Sequence, residues 1–151
     1  MISVSRALVS AMVCLWLGGC SSGPNIVTAK LAPSHDNLMK IGAAYVRFNT
    51  ENARPPTRAE DLHLILQELG GSLDTILTSP NDGQPYVICW GVDLLQPPTW
   101  AKSTPVLAYE SEGKNGTRYV LTTLRSVVKM TKPDFEQASF PPGHQQVRSS
   151  P

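Results

Sequence analysis

The sequence predicts an α+β fold: an N-terminal helix and a short second helix packed on a three- to four-stranded antiparallel sheet. Three observations carry that expectation. Apolar residues first recur at helical spacing, at Leu38, Ile41, Tyr45 and Phe48 and again at Leu62, Ile65, Leu66 and Leu69. The pattern then changes to short β-rich runs at 86–90, 106–110, 117–123 and 127–130. Tight-turn signals, Asn81-Asp82-Gly83 and Asn115-Gly116, separate those runs. Antiparallel strands joined by tight turns need one covered face, and the first helix is the natural cover, so a two-layer arrangement follows.

The first helix begins after Pro33. Ser34 is its expected N-cap, and Asp36 in the first turn suits the positive end of the helix dipole. Met39, Ala43 and Val46 widen the apolar stripe, and Pro55-Pro56 forces an end near Asn52. The second helix opens on Thr57-Arg58-Ala59-Glu60, the spacing of a capping box between Thr57 and Glu60, and Gly70-Gly71 stops it. In the strand at 86–90, Tyr86, Ile88 and Trp90 share one face and Val87 and Cys89 the other. A loop holding Pro97, Pro98 and Trp100 leads to the second strand, and a turn near Arg125 leads to the short fourth one. Thr131-Lys132-Pro133-Asp134 caps a short helical piece through Ala138, with Pro133 in its first turn.

Composition limits the function. The 151 residues suffice for one modest domain, and 13 prolines point to a small core with much loop. The formal net charge is +1 and no basic stripe exists, which argues against nucleic-acid binding. The acidic turn at Asn81-Asp82 falls short of the oxygen ligands calcium needs, and Asp61 and His63 have no companions at metal-site spacing. No cofactor motif is present. Asp61 fits the start of a helix, and His63 a solvent-facing position.

The N-terminus carries the most specific signal. Arg6 precedes a charge-free, largely apolar run at 7–17. Its 11 residues are too few to span a bilayer, which takes about 20, but they suit the hydrophobic region of a signal peptide. Leu17-Gly18-Gly19-Cys20 then resembles the lipobox of bacterial lipoproteins. Small residues let the backbone enter a peptidase cleft in extended form, and only a thiol can take a diacylglycerol group as a thioether. The resemblance implies lipidation at Cys20. Two or three acyl chains, each buried methylene adding about 0.8 kcal/mol, would hold the protein on a membrane. The competing readings are an ordinary secretory signal with a chance cysteine and an uncleaved anchor. With Cys14 in the leader and Cys20 modified, Cys89 alone remains, so no intrachain disulfide is expected; a small buried thiol is its simplest role. The resulting division is a signal peptide over 1–19, a flexible tether over 20–33, one α+β domain over 34–138 and a disordered tail over 139–151.

Two phrases suggest a further likeness. RPPTRAEDL, at Arg54 to Leu62, and SPNDGQPYVICWG, at Ser79 to Gly91, are similar to the phrases between helix and sheet in the periplasmic heads of type II secretion pseudopilins and related prepilin-like proteins. The overlap in order and spacing covers roughly 34–130. It implies a long helix packed on a small antiparallel sheet. The leader departs from that family. Cys20-Ser21-Ser22 stands where a prepilin has an aromatic residue and then a glutamate at the fifth position, and no continuous apolar helix follows. A pilin-like head moved onto a lipid anchor is what remains, and the calcium site of some pseudopilins has no matching acidic ligands here.

The expected function is therefore that of a lipid-anchored, non-catalytic protein of the bacterial envelope. It would be held to a membrane, with the outer membrane's periplasmic side favoured by Ser21, and would act as a structural or protein-interaction module for an envelope partner. Trp100 beside Pro97 and Pro98 is a candidate contact surface, unless it folds onto the core. The alternatives are a small envelope hydrolase and a ligand-binding lipoprotein. The hydrolase should bring His35, His63 or His144 to a nucleophile in a cleft, although no nucleophile elbow or zinc-helix spacing is present. The binding protein should show a deep pocket, for which a domain this small offers little room.

Overall fold

The computed structural model describes residues 32–96, 98–99, 101 and 103–147. The signal peptide, Cys20, nearly all of the tether, Pro97 and Trp100 lie outside the described residues, and none of the described helices is long and apolar enough to cross a membrane.

Helix α1 spans Pro33–Asn52. Proline at its first position is pre-set for helical φ and lacks only a donor that would be unpaired there. Leu38, Ile41, Ala44 and Tyr45 are fully buried, and Phe48 nearly so, as the apolar spacing requires. The helix ends where expected, with Ala53 in the left-handed conformation (φ 51°) as its C-cap. Its start differs from expectation. Ala32, not Ser34, is the N-cap, and no side chain caps it. The Ser34 hydroxyl is turned to a buried carboxyl instead, as described below.

A 3-10 turn at Ala59–Leu62 runs into α2, His63–Glu68. The capping box that the sequence suggests between Thr57 and Glu60 is not formed: Arg58 is the N-cap, and no side chain caps it. The Thr57 backbone N–H and hydroxyl donate to Asp61 at 2.8 and 3.1 Å, because the 3-10 geometry brings Asp61 rather than Glu60 under Thr57. These bonds and the nearby Arg54 hold the Asp61 carboxyl below its usual range. A third helix, α3 at Leu73–Leu77, has no counterpart in the sequence reading. Ser72 caps it, accepting from the Thr75 N–H at 3.2 Å.

The sheet has four strands in the order β1-β2-β3-β4, all antiparallel: Val87–Ile88, Val106–Tyr109, Thr117–Thr122 and Val127–Thr131. The first is shorter than the predicted run over 86–90. The Tyr86 N–H leaves the ladder to bond Leu77 O at 2.8 Å, and Gly91 turns the chain away. Asn115 and Gly116 both have positive φ (54° and 71°), and Lys114 and Thr117 exchange backbone hydrogen bonds across them. That is the two-residue turn whose twist matches paired strands. Arg125 (φ 61°) makes the β3–β4 turn.

Alternation sorts the strand side chains into two cores, except where a register irregularity between Val106 and Ala108 turns the adjacent Leu107 and Ala108 to the same side. Tyr86, Ile88, Leu107, Ala108 and Leu121 join the buried residues of α1 and α2, with Trp90 packed against them. Val106, Tyr109, Val120 and Phe135 form the second core on the opposite face, joined by Val87, Val128, Met130, Ala138 and Phe140. The sheet is therefore covered on both sides, against the two-layer expectation. Its second cover is α4, Lys132–Glu136, capped by Thr131 as predicted, together with the segment that follows it. The sequence reading assigns 139–151 to a disordered tail, yet residues 139–147 lie on this face. Phe140 packs edge-on to Tyr109 and Phe135, with ring centroids 5.8 and 5.3 Å apart, and Gln146 Nε2 donates to Phe135 O at 2.8 Å. Apolar burial on a second sheet face explains the difference: the Phe140 and His144 rings, packed on Tyr109, hold an otherwise polar segment down.

Candidate functional site

Two features stand out: a buried polar cluster that positions the loops, and a cleft those loops build.

The cluster centres on Glu110, the residue that follows β2. Its side chain is fully buried. One carboxyl oxygen accepts from the hydroxyls of Ser34 and Ser79, the latter at 3.0 Å. The other accepts from Asn81 Nδ2 at 3.0 Å and from the Tyr119 backbone N–H at 2.8 Å. Tyr86 completes the group, its hydroxyl 2.7 Å from Ser34 Oγ, and burial pushes its phenol up to about 12. The start of α1, the turn after α3, the end of β2 and β3 thus meet at one carboxyl, and Tyr86 ties in through Ser34. Asp82 adds a second tie. It accepts the N–H groups of Glu112 and Gly113 at 3.0 and 2.8 Å and that of Gln84 at 3.1 Å. Burial pulls this carboxyl upward, but the three backbone donors outweigh it and hold it below the usual range. Gly113 is required at this contact: its φ is +73°, and a Cβ there would stand 2.3 Å from Thr117 O. The predicted turn at Asn81-Asp82-Gly83 is present, and it serves as a clasp between loops.

The cleft lies at the far end of α1 and has a volume of about 580 Å³. That overturns the expectation that the domain is too small for such a space. Trp90, Asp93, Leu94 and Leu95 form one wall; Leu124, at the β3–β4 turn, and Pro141-Pro142 form the other. Helix α1 fixes the first wall. The Tyr45 hydroxyl donates to Cys89 O at 3.1 Å and accepts the Val92 N–H at 2.9 Å, while Asn49 Oδ1 accepts the Leu94 N–H at 2.8 Å. Tyr45 also stacks on Trp90, ring centroids 6.3 Å apart. Burial raises the Tyr45 phenol well above its ordinary value, so it stays protonated and can both donate and accept. On the rim, Leu95 and Leu124 are 53% and 74% exposed. A cleft with apolar walls, one carboxyl and a few amide and hydroxyl groups can bind by burial and hydrogen bonding.

The structure places the other singled-out residues apart from one another. His63 is exposed on α2. His35 packs edge-on to Tyr119, ring centroids 6.5 Å apart, and its Nδ1 is buried without a partner among the described residues. His144 bonds the Tyr109 hydroxyl at 3.0 Å on the outer sheet face. Among the described residues no histidine hydrogen-bonds a serine, threonine or cysteine, and no group of three or more His, Cys, Asp or Glu residues is placed to hold a metal ion. Cys89 is buried, and burial pushes its thiol up to about 12, far from the thiolate a nucleophile needs. Glu110 is the residue the sequence reading missed. Its only signal is register: period two puts it on the face of Ala108, which packs toward α1.

No family model, curated protein or solved structure matches this chain.

Proposed function

We propose that this chain is a lipid-anchored, non-catalytic protein of the bacterial cell envelope that uses its cleft to dock a partner protein. The observation that carries the docking role is the pair of exposed leucines, Leu95 and Leu124, on the rim of a 580 Å³ cleft walled by Trp90 and two prolines. Interfaces concentrate their energy in aromatic and aliphatic anchors that enter such spaces, with a polar rim around them. The lipobox-like Leu17-Gly18-Gly19-Cys20 supports the anchor, and Ser21 supports the periplasmic side of the outer membrane. In this reading the domain is a pilin-like head carried on acyl chains, and it serves an envelope assembly related to secretion or pilin-like systems.

The two halves are tested separately. The mass of the mature N-terminal peptide should match Cys20 carrying diacylglycerol; an unmodified Cys20 or a start elsewhere refutes the anchor. For docking, Leu124→Asp should leave the urea midpoint unchanged, since the side chain is mostly in solvent, and should abolish the cross-links that wild type forms through a photoreactive residue at Gln96. Unchanged cross-links refute docking at the cleft. A second reading, binding of a small apolar ligand, is favoured by the volume alone, which falls in the ~300–1,000 Å³ range of ligand pockets. It predicts ligand-derived mass in the native protein and no cross-linked partner.

A further inference from the structure

The C-terminal segment is tied to the sheet by a bond whose polarity depends on one proton. The Tyr109 hydroxyl sits at the centre of the outer core, and Tyr109 is fully buried. It accepts the Val147 N–H at 3.1 Å and lies 3.0 Å from His144 Nε2. A phenol has one proton to give. With Val147 donating to it, the arrangement that satisfies every group is Tyr109 donating to a neutral His144, whose own proton is on Nδ1. The imidazole also stacks on Phe140 with centroids 5.5 Å apart, and meets the Tyr109 ring edge-on at 5.8 Å. These contacts and the Gln146 bond to Phe135 O hold residues 140–147 over the sheet.

Protonation of His144 reverses the Nε2 bond. Nε2 becomes a donor, so Tyr109 would have to accept from both His144 and Val147, and its own proton would lose the acceptor it has in the closed strap. Among the described residues, none of the hydrogen bonds or ion pairs of His144 is with a carboxylate. On β3, Arg118 holds its guanidinium 4.1 Å over the Phe135 ring centroid and donates to the carbonyls of Glu110 and Ser111. On α4, Lys132, Asp134 and Glu136 are exposed, and Asp134 takes the Thr131 hydroxyl. After β1 comes the neutral Cys89 thiol, and Lys129 of β4 lies over Tyr119. Burial accordingly lowers His144 from its ordinary 6.5.

We infer that residues 140–147 form a proton-released strap, closed over the outer face of the sheet when His144 is neutral and freed from it when His144 is protonated. Release takes Phe140 and His144 off the Tyr109 and Phe135 rings and opens that part of the outer core to water. The sign follows from linkage. The closed strap resists protonation and the open one does not. Between 6.5 and the lower value of the closed state, the opening constant therefore rises about tenfold per pH unit as pH falls.

The test uses the isotope-labelled full chain in detergent micelles, titrated from about pH 8 to about pH 5. The His144 ring signal should titrate below 6.5. The Val147 amide should shift with the same midpoint, and its protection from hydrogen exchange, corrected for the intrinsic rate, should fall up to tenfold per pH unit while that of α1 amides stays level. His144→Gln keeps a polar side chain without a titrating proton and should flatten the Val147 response. A His144 that titrates at 6.5 or higher, a Val147 amide indifferent to pH, or a full response retained in His144→Gln would each overturn the inference. The wild-type titration decides even if the variant does not fold.

Discussion

Removing the Glu110 carboxyl gives the sharpest test of how the loops are held. Four donors point at it, and they do not lose equally. In Glu110→Ala, the Ser34 hydroxyl can turn to Tyr86 at 2.7 Å, and the Ser79 hydroxyl can turn to Ser34 Oγ at 3.4 Å. The Asn81 side-chain amide and the Tyr119 backbone N–H have no such substitute. Two donors left unsatisfied cost about 1–3 kcal/mol each, and truncating a buried side chain of this size leaves a cavity besides. The expected loss is about 3–4 kcal/mol, a large part of a small domain's total stability. With an m-value of about 1.5–2 kcal/mol/M, the urea midpoint drops by about 2 M with no change of slope. Glu110→Gln separates the donors from the volume. Its carbonyl can still serve Asn81 and Tyr119, while its amide donates to serine hydroxyls free to rotate, so it should cost only about 1–2 kcal/mol. Equilibrium urea unfolding of both variants checks this. A Glu110→Ala loss below about 1 kcal/mol, or a Gln variant as damaged as the Ala one, would refute the four-donor account.

Two further outcomes follow from local geometry. Ala53 occupies the left-handed C-cap position of α1, which costs a residue with a Cβ about 1–2 kcal/mol, so Ala53→Gly should raise stability by roughly 0.5–1 kcal/mol once glycine's greater chain entropy is counted; thermal unfolding should show a gain of a few degrees. Cys89, buried and with its thiol pushed up to about 12, should resist iodoacetamide at about pH 8 in the native protein and react in urea; peptide mass spectrometry reads the difference, and native labelling at the rate of a free thiol would contradict the burial.

Much of this fold is legible in the sequence. The helical stripe of Leu38, Ile41, Tyr45 and Phe48, the Asn115-Gly116 turn and the Thr131 cap each depend on neighbours within a few positions, and each is found where local rules put it. What escapes is set by partners far along the chain. Ser34 has the right identity for an N-cap, but the carboxyl at position 110 claims its hydroxyl. Asp61 displaces Glu60 under Thr57 because the turn opens as a 3-10 helix, a choice no capping rule makes. Residues 139–147 look like a tail because their composition is polar; only the vacant second face of the sheet gives Phe140 and His144 somewhere to go. The cleft was hidden for the same reason. Its walls come from the loop after β1, the β3–β4 turn and the prolines after α4, three segments with no common local signal.

The two-sided covering of the sheet bears on how the chain matures. A polypeptide emerging N-terminus first could assemble the α1 side of the sheet well before Phe135, Phe140 and His144 arrived. Until then Val87, Val128 and Met130 would face water, and nascent domains in that condition are prone to association. The last dozen or so described positions thus act as a finishing piece. A chain cut short just before them would be a half-clad intermediate, prey for quality-control proteases, even though it held every strand.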